Sequence, residues 1–263
     1  MTRLRWAPVL GSLIIAATPP GSPNMSAVRA SGGPGRPRIL GISHVALRVS
    51  DLARSRVFYQ EFLGYATVQA ATAEKDSTLR VAVGERQYVE LRDGLRPDGD
   101  RLDHIALETD DAEGMRRYLA ARGVEVPGVV SEANGKRCLM VRDPEGRSIE
   151  FVQPAPEAGP RNTLPRPASA PGPVASLIRH AGILAGDLSA ADHFYHEVLG
   201  LTEVWRGSRS GTELSWVNLR VPDGLDYLEL MLYGTLPPPN ARGSQHHICL
   251  EVSDLDEAKA RLL

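Results

Sequence analysis

Cysteine is nearly absent from this chain. Cys138 and Cys249 are the only two in 263 residues, too few for a disulfide framework to set the fold. An excess of charge of one sign is missing as well. Thirty basic residues face 32 acidic ones, giving a net charge of −2, and the two signs are interspersed. That balance gives no sign of a nucleic-acid face or an electrostatic membrane contact, and neither is expected. The apolar run Ala7–Ala17 is too short to span a bilayer, so no membrane partner is expected once that segment is processed. The glycine-rich stretches follow no phosphate-loop pattern, and there is neither a nucleophile elbow nor a zinc-protease helix motif. What remains is an ordinary globular composition, 42% hydrophobic and 24% charged, with enough apolar residues for a sizeable core and a length that suits two domains.

Against that background one pattern stands out. His44 and Glu90 recur 60 residues later as His104 and Glu150, with the same spacing inside each pair. Their surroundings recur too: His44-Val45-Ala46-Leu47 is echoed by His104-Ile105-Ala106-Leu107, and Tyr88-Val89-Glu90-Leu91 by Ser148-Ile149-Glu150-Phe151. All four lie in short alternating runs that read as strands. Period-two geometry sends Val45, Leu47, Val89, Leu91, Ile105, Leu107, Ile149 and Phe151 to one face, and the two imidazoles and two carboxylates to the other. A third copy follows: Asp51, Phe58, Tyr59 and Gly64 return as Asp187, Phe194, Tyr195 and Gly200, and His44 as His180. With small loop insertions, Glu229 matches Glu90 and His247 matches His104. Cys249 shares the strand parity of His247, although a small buried residue is its simpler reading. His193 and His196 read as solvated helix residues, and His246 as a bystander of the wrong parity.

Residues 1–38 read as targeting or disordered sequence. Arg3 and Arg5 precede the apolar run, and polar, proline-rich sequence follows it, which is the outline of a secretory signal peptide. Pro19 and Pro20 crowd the first cleavage option, and Val28-Arg29-Ala30 offers another. The expectation is an exported protein, periplasmic or secreted, or a cytoplasmic one if translation starts at Met25. A complete domain is expected over 39–153, built from two β-α-β-β-β units. Strand Ile39–Val49 leads through Asp51, a helix cap, to a helix stopped by Gly64, then to strands near Tyr65–Ala71, Thr78–Val83 and Gln87–Arg92. The second unit runs from strand Leu102–Thr109 through helix Asp111–Arg122 to strands near Val124–Val130, Lys136–Val141 and Arg147–Val152. Residues 154–176, rich in proline, read as a semi-stiff linker. A second domain starts at 177. Its last unit has one strand and one helix and is expected to be incomplete, leaving an apolar face and a free sheet edge that favour homo-oligomers.

The strand histidine, the Ser-Asp-Leu helix start, the Phe-Tyr…Leu-Gly helix, the fourth-strand glutamate and Asp143-Pro144-Glu145-Gly146 before Ile149-Glu150 together resemble the vicinal oxygen chelate superfamily. Glyoxalase I, methylmalonyl-CoA epimerase, extradiol dioxygenases and bleomycin- or fosfomycin-resistance proteins belong to it. The resemblance implies an α+β fold of tandem β-α-β-β-β units paired into glyoxalase-like domains. It also implies metal ligands on the first and fourth strands of each unit: His44, Glu90, His104 and Glu150, with a secondary, incomplete set at His180, Glu229 and His247. Two imidazoles and two carboxylates suit a divalent ion such as Zn, Ni, Fe, Mn or Co and leave coordination positions for a small substrate with neighbouring oxygens. Glu90 and Glu150 are then the candidates for catalytic proton transfer. The implied activity is a glyoxalase-like isomerase or lyase. The alternatives are an Fe(II) extradiol-type dioxygenase, whose ligand set is two His and one Glu, and a non-catalytic small-molecule binder of the antibiotic-resistance type.

Overall fold

The computed structural model describes residues 12–14, 34–68, 77–133, 135–156, 163, 171–243 and 245–263. Most of the expected targeting segment lies outside them. Asp51 opens the first helix as expected, its carboxylate accepting from the Arg54 amide at 2.9 Å. α1, Leu52–Arg56, then widens into π-type turns over Val57–Phe62, with the Leu63 amide donating to the Phe58 carbonyl. The helix ends at Gly64, whose φ of 78° suits glycine. A Cβ there would also strike the Gly172 carbonyl oxygen at 2.3 Å, so the end of the linker packs tightly on the helix stop.

Thirteen strands are assigned among the described residues, and they form two sheets. β1, Ser12–Ile14, belongs to the second sheet. β2 (Ile39–Val49), β3 (Thr78–Val83), β4 (Gln87–Asp93), β5 (Leu102–Thr109), β6 (Ser131–Ala133), β7 (Lys136–Arg142) and β8 (Ser148–Gln153) make the first, in the order β3-β4-β2-β5-β8-β7-β6. The two histidine strands, β2 and β5, run antiparallel at its centre, and each is flanked by its own glutamate strand in parallel. α2, Ala112–Ala121, packs beside β7 and β8. The expected strand over 124–130 does not form. Pro127 and Gly128 interrupt it, one lacking an amide donor and the other a side chain to pack, and pairing with β7 falls to Ser131–Ala133. Of the expected strand 65–71, Thr67 and Val68 make single bridges to Val81 and Thr163.

The second sheet repeats the plan with β9 (Leu177–Ala185), β10 (Thr202–Ser208), β11 (Leu214–Arg220), β12 (Tyr227–Leu232) and β13 (His247–Glu251), in the order β1-β13-β9-β12-β11-β10. α3, Leu188–Asp192, widens over His193–Val198 as α1 does; α4 is Pro239–Arg242 and α5 is Leu255–Leu262. Trp205 and Trp216 both lie in this sheet, on β10 and β11.

The apolar strand faces are buried as the alternation requires. Val45, Val89, Leu91, Ile105, Leu107, Ile149 and Phe151 are each at most 2% exposed. The halves are joined through polar groups as well. The buried Gln87 amide nitrogen donates to the Ile42 and Ile178 carbonyls and to Asp226, at 3.1, 3.0 and 3.1 Å. Its oxygen accepts from the Ile178 amide. Tyr118 donates to the Val198 carbonyl and Tyr195 to Asp143. No helix among the described residues is long and apolar enough to cross a membrane.

Candidate metal centre

Pairing β2 with β5 brings the two histidines of the first half together. His44 Nε2 and His104 Nε2 stand 2.9 Å apart, their rings at 84°, and Glu150 Oε2 lies 3.4 and 3.5 Å from the two nitrogens. Donor atoms about 2.1 Å from one ion and roughly 90 to 110° apart around it take up such spacings. Two imidazoles and a carboxylate, as a donor set, therefore fit a divalent transition metal. Both histidines are buried, and Glu150 is 14% exposed, the member of the trio open to a ligand.

Glu90, the fourth expected ligand, lies outside this trio. It shares the face, but Arg80, directly opposite on β3, donates to one carboxylate oxygen at 2.6 Å, and Arg92, two residues further along β4, donates to the other at 2.5 Å. Burial alone would raise Glu90; the two guanidiniums outweigh it and hold the acid below its ordinary range. Arg92 also reaches Asp103 at 3.0 Å. Asp103 in turn bonds His104 Nδ1 at 2.9 Å and takes Arg48 at 2.6 Å. Burial would depress His104, yet its bonds to Asp103 and Glu150 more than offset this and carry it up to about 9. An outer carboxylate on the far nitrogen orients a ligand imidazole and increases its basicity.

Tyr88 stacks on His44 with ring centres 4.3 Å apart, and the charged ends of Arg80 and Lys136 lie over the Tyr88 ring. Cys138, opposite Val152 on the neighbouring strand, is pushed up to about 12 by burial and by Glu150. Arg80, Arg92, Asp103, Tyr88 and Cys138 were not singled out as candidates from the sequence. The one available signal was strand parity: Tyr88 and Arg92 flank Glu90 at two-residue spacing.

The second half gathers His180, Glu229 and His247. The imidazole nitrogens are 3.0 Å apart, and Glu229 lies 3.6 Å from His247. Among the described residues no counterion offsets burial here. Burial and the neighbouring His247 press His180 down to about 3, burial lowers His247, and burial raises Glu229. Cys249 is buried, as its simpler reading expects. His193 and His196 are exposed and pair along their helix with Glu197 and Asp192. His246 is buried and 3.4 Å from Asp100.

A family model described as the Glyoxalase/Bleomycin resistance protein/Dioxygenase superfamily matches residues 41–151 and 177–263. Lactoylglutathione lyase GLX1 of Arabidopsis thaliana is 28% identical over 170 residues, 60% of this chain and 54% of its own length. The chain thus spans about half the length of that relative. Among solved structures, the Mn(II)-bound glyoxalase from Novosphingobium aromaticivorans aligns with a TM-score of 0.62 at 21% identity, over 86% of this chain and 69% of that one. The 2,3-dioxygenase LapB from Pseudomonas sp. KL28 aligns with a TM-score of 0.58 at 16% identity, over 76% and 72%. At these identities the structural likeness establishes the fold.

Proposed function

Since the chain belongs to the Glyoxalase/Bleomycin resistance protein/Dioxygenase superfamily, we propose that it is a metal-dependent enzyme acting on a small substrate with two neighbouring oxygens, by glyoxalase-like proton transfer. His44, His104 and Glu150 would hold the ion, and a divalent cation there would serve as a Lewis acid toward the substrate oxygens. The observation that carries the reading is the convergence of these three donors within 3.5 Å of one another. Glu150 is the proton carrier in this reading. It is the partly exposed carboxylate of the trio, whereas Glu90 is held by two arginines that disfavour its protonation. Asp103 fixes the His104 ring through Nδ1, and the Tyr88 ring backs His44.

A second reading, ring cleavage by an Fe(II) extradiol-type dioxygenase, draws on one specific feature. With Glu90 engaged elsewhere, two His and one Glu remain, the donor set of non-haem iron oxygenases. One experiment separates the two. Protein loaded in turn with Mn, Ni, Co, Zn and Fe(II) is offered the hemithioacetal of an α-ketoaldehyde without oxygen, and catechols with oxygen. Oxygen-independent isomerisation that fails in E150Q supports the first reading. Oxygen uptake with catechols alone replaces it with the second, and bound metal with neither turnover leaves a small-molecule binder.

A further inference from the structure

The two histidine pairs are near copies, yet their carboxylates come from opposite flanks. In the first half the third donor is Glu150, on the β8 side of the pair; in the second it is Glu229, on the β12 side, which matches the strand of Glu90. The register locates the difference. Arg80 pairs across β3 and β4 with Glu90, and Asn218 occupies the same position opposite Glu229. Arg92 sits two residues beyond Glu90, and Met231 two residues beyond Glu229. Both guanidiniums that hold Glu90 are thus missing around Glu229. The opposite flank differs as well. β1 pairs with β13 in the register of β8 with β5, and Ile14 stands opposite Cys249 where Glu150 stands opposite Ala106. Among the described residues no carboxylate arrives from that side, and Glu229, 14% exposed like Glu150, is the carboxylate that completes the second trio.

We propose that Arg80 and Arg92 are positioning residues that keep Glu90 out of the first centre, and that the chain holds two ions, each at two histidines and one glutamate. The first is at His44, His104 and Glu150, the second at His180, His247 and Glu229. Gly182 assists the second. A Cβ there would lie 2.1 Å from the His247 ring, whereas the first half has Ala46 opposite His104.

This rests on the metal-binding reading above, and the test keeps the two apart. Cobalt(II) is titrated into the full chain and followed by visible absorption and by competition with a chelator. Wild type binds two ions and E229Q one. E150Q weakens the other by at least roughly a hundredfold, while E90Q retains both within about threefold, since Glu90 lies outside both trios and is not, like Asp103, an outer partner of a ligand, whose loss costs about 10- to 100-fold. R80N/R92M frees Glu90 to bind, which tightens the first centre at least about tenfold and changes its cobalt spectrum; Arg48 still holds Asp103 in that variant. Loss of an ion in E90Q overturns the proposal, provided its circular dichroism and melting match wild type. R80N/R92M, which leaves no arginine unpaired, decides the matter if E90Q does not fold: an unchanged affinity and spectrum overturn it. Two ions retained in E229Q overturn the second centre alone. Absence of cobalt from wild type overturns both this proposal and the functional reading.

Discussion

His104 is the most supported donor of the first centre, because Asp103 holds its far nitrogen and is itself held by Arg48 and Arg92. D103N should therefore lower metal affinity about 10- to 100-fold with the fold intact. Chelator competition measures it, and an unchanged affinity would show that the outer carboxylate is idle. Gly182→Ala removes no donor, yet its methyl needs the space of the His247 ring. It should cost the second ion and leave the first, read as metal per chain by elemental analysis. The donors were legible in the sequence because they recur with their flanking residues in step. Of the two arginines, Arg92 was signalled by its strand parity with Glu90, and Arg80 was not. Which residue faces Glu90 depends on the β3–β4 register, and that is settled by a turn at 84–86 and by packing, neither of which a periodicity encodes.

Helix ends and histidine strands were also readable, since Asp51, Asp111 and Asp187 cap and Gly64 and Gly200 stop in repeated positions. The strand over 124–130 was misplaced because its valines fit the alternation while Pro127 and Gly128 forbid the ladder. At this scale β1 has the largest consequence. It covers the β13 edge, and we propose export of the chain with processing after Ala30, which would bare that edge. A chain beginning at residue 31 should associate with rising concentration, as unpaired strand edges do. Light scattering on both forms checks this, and a concentration-independent monomer for the shorter form would show the edge to be protected by other means.

Across the whole molecule the halves meet at Gln87 and Asp226. Gln87→Ala would remove four buried hydrogen bonds, to the Ile42 and Ile178 carbonyls, the Ile178 amide and Asp226, and should destabilise the chain by about 3 kcal/mol, with both halves melting together. Two separate transitions, one at the wild-type temperature, would show the halves to be independent. Asp226 is raised to about 6, chiefly by burial. The Ile42 amide and Arg179 pull it down, while Glu251 and Glu108 push it up. The folded protein thus binds this proton more tightly than the unfolded chain. The stability it contributes is full below the ordinary aspartate range near 4 and is lost as pH rises through about 6. D226N should be the more stable form at pH 8, by about 1 to 3 kcal/mol, and the gap should close by pH 4. A gap that does not change with pH in denaturant titrations would show that Asp226 does not titrate differently on folding.

Trp216 lies on β11 two residues before Asn218 and therefore on the face of the second triad, paired with Met231, while the described part of the first half contains no tryptophan. Among the described residues, indole emission therefore comes from the half that holds the second triad. A paramagnetic ion arriving at His180, Glu229 and His247 should dim the emission of Trp216, and one arriving at His44, His104 and Glu150 should leave it bright. The order in which two chemically similar sites fill is thus open to direct observation in unlabelled protein.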